Sequence, residues 1–134
     1  LCDLTALLRE SDVVSLHASR RPQEGALIGP QELALMKRGS FLVNTARGFL
    51  VNEPALDEAL KSGRLGGAAL DVFEAEPYSG PLSSLPQVIC TPHVSSLTTR
   101  SRVLMEQKAT EHIIEFFARQ PASAAVARAM SGSA

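Results

Sequence analysis

The sequence predicts an α/β fold, a parallel sheet with helices packed against it. Four short apolar runs of strand length alternate with short helical patterns, the arrangement that builds parallel sheets from strand–helix–strand units. Glycine and proline punctuate the junctions. Charged or titratable residues follow the apolar runs, where a parallel sheet places its ligand crevice.

The elements follow in order. "DLTALLRESD" reads as a short helix with Asp3 as N-cap and Leu4, Leu7 and Leu8 on one face. "VVSLH", Val13 to His17, is a β-branched burst suited to a strand. "ASRRPQEGALIGP" is a loop, and "PQELALMK" a helix with Pro30 near its start, Lys37 and Arg38 in its last turn and Gly39 as its stop. "SFLVNTA" is a second strand, and its unbroken apolar character predicts burial on both faces. Asn52 and Pro54 open a helix through "ALDEALKSG", with Lys61 late and Gly63 past its end. "GAALDVF" and "QVICTPH" are the third and fourth strands. A long helix from Thr98 to Gln120 brings Val103, Ala109, Ile113 and Phe117 near one face, and Pro121 ends it. The alanine- and serine-rich tail, 121–134, is expected to be poorly ordered.

Composition narrows the function. With 134 residues the chain can bury one core. A net charge of −1 offers neither a basic footprint for nucleic acid nor a polybasic membrane anchor. No apolar run approaches the roughly 20 residues of a membrane helix, and no signal peptide opens the chain. Cys2 and Cys90 fit no metal or redox pairing, so a reduced, cytoplasmic setting is the expectation. The chain opens on Leu1 within a helical pattern, as a piece of a longer protein would.

Arg47 follows the second strand, Asp71 sits near the end of the third and His93 follows the fourth, with Glu76 in the loop "EAEP". An arginine offers a planar fork of donors to a carboxylate or polarised carbonyl. A histidine exchanges protons near neutral pH, and a carboxylate beside it favours the imidazolium. Together they suit redox chemistry at a small hydroxy or keto acid. Taken singly, each has a plainer reading. Arg47 could be a surface ion pair, His93 a loop residue bonding backbone, Glu76 a solvated acid. His17 reads as a structural histidine and His112 as solvent-facing. Asp71 resists such a reading, because a carboxylate ending an apolar run is costly unless partnered.

Nearly the whole chain resembles the NAD(P)-dependent D-isomer-specific 2-hydroxyacid dehydrogenases: "LLRESDVVSLH", "ELALMKRGSFLVNTARGFLVNEPALDEAL", "GGAALDVFEAEP" and "VICTPHVSS" keep the family's order. So do the 24 positions from Arg47 to Asp71 and the five from Asp71 to Glu76. The resemblance implies the second half of a doubly wound, Rossmann-like sheet, an incomplete domain spanning 1–97. It also implies a helix at 98–120 returning to a substrate domain that the chain lacks, followed by the tail. It makes Arg47 the substrate-binding arginine and His93 the acid/base, paired with Glu76 rather than Glu74. Asp71 would contact the nicotinamide carboxamide, Thr45 and Ala46 would wall the nicotinamide, and His17 would lie near the adenosine. The implied cofactor is NAD or NADP, the implied substrate a small 2-keto or D-2-hydroxy acid, and the intact protein a homodimer.

Ser19 stands where the family commonly has proline, Phe49 where a small residue is frequent and Asn52 where aspartate is common, and "HVSSLT" replaces a small-residue run. Arg20 and Arg21 suit either solvent or the extra phosphate of NADP. No G-x-G-x-x-G occurs, so the loop that would bind a pyrophosphate is missing, and the chain alone is expected to be inactive. Two other readings stay open: a non-catalytic, NAD-sensing module of corepressor type, and an unrelated parallel domain with a chance constellation.

Overall fold

The computed structural model describes residues 2–19 and 22–119. Leu1, Arg20, Arg21, Gln120, Pro121 and the tail, with the expectations attached to them, lie outside the described residues. The chain divides into two units, Leu1–Ser95 and Ser96–Ala134.

The first unit is a four-stranded parallel sheet in the order β1 (Val13–Leu16), β2 (Phe41–Asn44), β3 (Gly67–Leu70), β4 (Val88–Cys90). Helix α1 (Leu4–Glu10) precedes β1, α2 (Pro30–Leu35) joins β1 to β2, and α3 (Glu53–Lys61) joins β2 to β3. Because strand order follows chain order, right-handed crossovers put α2 and α3 on one face. Neighbouring pairs α1–α2 and α2–α3 form a single helical layer there.

The register shows how one-sided the burial is. Val14, Leu42, Ala68 and Val88 align, as do Leu16, Asn44, Leu70 and Cys90, and every member of the first three strands in these rows is buried. They pack with Leu8, Ile28, Leu33, Met36, Leu50, Leu56 and Leu60 into the core. The alternate rows face the other way, with Val13 56% exposed, Phe41 48% and Ile89 66%. The expectation that β2 is buried on both faces is therefore corrected. Its apolar run is continuous, but no helix among those joining these strands crosses on the second side.

Local chemistry accounts for the helix ends. Asp3 caps α1 by accepting the Ala6 N–H, and Asn52 caps α3 by accepting the Ala55 N–H. In α1 only Leu8 is buried, while Leu4 and Leu7 are about 40% exposed, narrower burial than the pattern predicts. Helix α2 ends at Leu35, since Met36 turns extended to plunge into the core. Lys37 and Arg38 thus fall beyond the last turn, correcting their predicted placement. Lys37 pairs with Asp12 instead. The cation that serves the end of α2 is Arg64, whose guanidinium donates to the carbonyls of Leu33, Ala34 and Met36.

In the second unit, α4 (Thr99–Ala118) is capped by the Thr98 hydroxyl, which accepts the Ser101 N–H. None of its residues is buried. Its large apolar residues are Val103–Met105, Ile113, Ile114, Phe116 and Phe117. Successive positions lie about 100° apart, so Val103, Ala109, Ile113 and Phe117 share one side of the helix as expected, while Leu104 and Met105 fall outside it and widen the apolar surface. No helix among the described residues is long and apolar enough to cross a membrane.

The one-sided core sets a contrast between neighbouring strands. Leu42→Ala is expected to lower the unfolding free energy in urea by about 2–5 kcal/mol. Ile89→Thr, on the uncovered face, should change it by less than about 1 kcal/mol.

Candidate active site

The carboxyl ends of β1 to β4 carry His17, Thr45–Arg47, Asp71 and Thr91–His93 in turn. Parallel pairing alone brings the sequence candidates to one edge, and local hydrogen bonds then set each tip.

At β2 the organiser is Asn44, a polar side chain on the buried face and 1% exposed. Its Oδ1 accepts the Ala46 N–H at 3.1 Å and its Nδ2 donates to the Arg47 carbonyl at 2.9 Å. The turn over Thr45 and Ala46 is thereby closed by a side chain that would otherwise be stranded in the core. Thr45 is exposed, Ala46 half-buried, and the exposed Arg47 guanidinium donates to the Ala46 carbonyl at 2.6 Å. The next residue must be glycine, because a Cβ on Gly48 would lie 1.9 Å from the Phe73 carbonyl carbon and 2.1 Å from its oxygen. The tips of β2 and β3 therefore touch backbone to backbone.

Asp71, 3% exposed, organises the neighbouring loop. Oδ1 accepts from the Thr91 hydroxyl and from the Val94 N–H at 2.9 Å, and Oδ2 accepts from the Ser95 N–H at 2.9 Å. Burial opposes its charge, but the hydrogen bonds from Ser95, Thr91 and Val94 outweigh burial and hold the carboxyl well below the usual aspartate range. The Thr91 N–H also bonds the Leu70 carbonyl at 2.9 Å. His93 is thus anchored on both sides, and between the anchors its backbone takes φ 57°, a left-handed conformation that costs a non-glycine residue about 1–2 kcal/mol.

The His93 ring meets Glu76, with Nδ1 2.9 Å from Oε2. An ionised carboxylate only accepts, so Nδ1 carries the proton and Nε2 is left for other partners. Glu76 Oε1 accepts the Phe73 N–H at 3.0 Å. That N–H first, and His93 second, keep the Glu76 carboxyl below its ordinary value. A cavity of about 480 Å³ opens beside the pair, walled by Phe73, Tyr78, Cys90 and Pro92 as well as Glu76 and His93. Phe73 and Tyr78 stack with ring centroids 4.0 Å apart.

Of the predicted residues, Glu76 and His93 are in direct contact, and Asp71 holds the histidine's loop. Arg47 stands at a neighbouring tip and bonds its own segment. His17 is exposed and its Nε2 lies 2.9 Å from the Ser15 hydroxyl, while His112 is exposed on α4. Sequence reasoning missed Asn44 and Thr91. Each is a polar residue closing an apolar strand, the one signal that could have marked them. Among the described residues no cluster of His, Cys, Asp and Glu could hold a metal ion.

The family profile described as "D-isomer specific 2-hydroxyacid dehydrogenase, NAD binding domain" matches residues 1–95. The glyoxylate reductase of Aeropyrum pernix is 44% identical over 115 residues, 84% of this chain and 34% of that protein. The crystal structure of a glyoxylate reductase from Paecilomyes thermophila superposes with a TM-score of 0.74 at 40% identity, covering 79% of this chain and 33% of that one. An acyclic imino acid reductase in complex with NADPH and D-arginine gives 0.77 at 32% identity, covering 90% and 39%. The chain therefore spans about a third of the length of the relatives it matches.

The depressed Asp71 carboxyl has a signed consequence. Its contribution to stability is complete above the ordinary aspartate pKa and is lost as pH falls through the lower folded value. Asp71→Asn should cost about 2 kcal/mol at pH 7. Acidification should then erode the stability of the variant less than that of the wild type, as read from urea midpoints across the acid range.

Proposed function

The chain belongs to the D-isomer specific 2-hydroxyacid dehydrogenase family, through its NAD-binding domain, and from that premise we propose that it is the catalytic half-domain of an enzyme that reduces a small 2-keto acid, or oxidises the D-2-hydroxy acid. The observation that carries this reading is the Glu76–His93 hydrogen bond at the carboxyl edge of the sheet. Glyoxylate is the first substrate to try, on the strength of the glyoxylate reductases among the relatives.

The residues at this edge fit the nicotinamide end of a dinucleotide: an exposed Thr45 and a half-buried Ala46 form a small-residue wall, with His17 farther along toward the adenosine side. The glycine-rich pyrophosphate loop is not among the 134 residues, so tight cofactor binding needs more chain than this. When bound, NADH or NADPH supplies the hydride. Arg47 holds the substrate carboxylate and balances negative charge gathering on the carbonyl oxygen. His93 gives that oxygen a proton from Nε2, and Glu76 fixes the ring and stabilises its protonated form. Asp71 keeps the histidine loop in place, and the resemblance implies that it also contacts the nicotinamide carboxamide. Residues 98–120 lead back to a substrate domain, and the intact enzyme is a homodimer.

In the polypeptide that joins this chain to a complete nucleotide-binding domain, His93→Ala should lower the turnover of glyoxylate reduction by about 100-fold or more. The affinity for NADH should stay nearly unchanged. Turnover close to wild type, followed as loss of NADH absorbance, would remove His93 from the chemistry.

A further inference from the structure

The peptide joining Phe73 to Glu74 is held from two sides. Its carbonyl lies where a Cβ on Gly48 would have to be, and its N–H donates to Glu53 Oε1 at 2.7 Å. Both partners belong to the segment that carries Arg47: Gly48 follows it directly, and Glu53 is the first residue of α3. On the other side of the peptide, the Phe73 N–H donates to Glu76, whose second oxygen receives His93. Two consecutive peptides that share Phe73 thus join the arginine segment to the acid–base pair. Asn52 ties α3 down from within by capping it at Ala55, so Glu53 starts from a fixed position.

We infer that Glu53 is a positioning residue: by holding the Phe73–Glu74 peptide against Gly48, it orients Glu76 on His93 and fixes that pair relative to Arg47. A carboxylate is suited to the task because it accepts the N–H without needing a proton of its own. Without it the peptide would keep its contact with Gly48 but lose the restraint on its rotation, and the Glu76 loop would be free to swing. The catalytic meaning of this arrangement rests on the reading of Arg47, Glu76 and His93 given above, but the positioning itself is measurable without it.

The test compares wild type, Glu53→Ala and Glu53→Gln, the last of which keeps an acceptor oxygen. In the 134-residue chain, nitrogen NMR of the His93 ring reports which nitrogen is protonated, and amide exchange reports the Glu74 N–H. Glu53→Ala should lower the fraction of ring protonated at Nδ1 and speed exchange at Glu74 by about tenfold or more. Core amides such as Leu42 should stay protected, and Glu53→Gln should keep the wild-type pattern. An unchanged ring and amide in Glu53→Ala would overturn the inference, as would equal loss in both variants. In the complete enzyme, Glu53→Ala should reduce kcat between about tenfold and 100-fold, with KM for NADH unchanged and Glu53→Gln restoring most of the rate. A wild-type enzyme that reduced no 2-keto acid would refute the proposed activity, while the NMR result would still decide the role of Glu53.

Discussion

The site depends first on a carboxylate that has been taken out of water. Asp71 sits at the end of β3 with almost no exposure, where an unpartnered charge would be expelled or neutralised. It stays ionised because the loop after the neighbouring strand β4 sends back a hydroxyl and two backbone N–H groups. The exchange works both ways. The loop after β4 has no helix or strand to shape it, and the charge that needs donors is what gives that loop its form. Asn44 performs the same service at β2 with a neutral amide, closing the turn that ends in Arg47. Polar side chains buried at strand ends, rather than the loops themselves, therefore set the geometry of the edge.

The sheet supplies these side chains with a rigid base on one side only. Its helix-covered face holds Leu42, Leu70 and the aliphatic core, while Phe41 and Ile89 point away from any connecting helix. This asymmetry follows from strand order, since each crossover turns in the same sense. It does not weaken the tips, because Asn44, Leu70 and Cys90 share the inward-facing row.

Much of this was legible in the sequence, and the exceptions share a cause. Strand and helix positions follow from apolar runs and from residues such as Asp3, Asn52 and Gly63, whose effects are local. The burial of β2 was misread because an apolar run records what a strand can tolerate, not whether a helix lies over it. The end of α2 was misread because Arg64, 28 positions beyond Met36, takes over its carbonyls. At the site, His93 stood out by its chemistry at a strand end, whereas Glu76, a solvated acid when taken singly, was matched to it through the family resemblance. Glu53 did not stand out, since an acid in the first turn of a helix already has a sufficient local reason to be there. What it does depends on a peptide in the loop after β3, 21 positions away, which no local sequence pattern reveals.

The left-handed backbone at His93 has a further consequence for how this protein can change over time. At φ 57° glycine is the residue the backbone would choose, with asparagine, aspartate and histidine well behind it. The residue that the proposed chemistry demands is thus not the one the fold would select. Drift toward stability at this position runs against activity, and the chain holds its histidine against a standing conformational preference. Positions 71 and 91 carry no such conflict, because there the group that organises the loop is also the one that the fold requires.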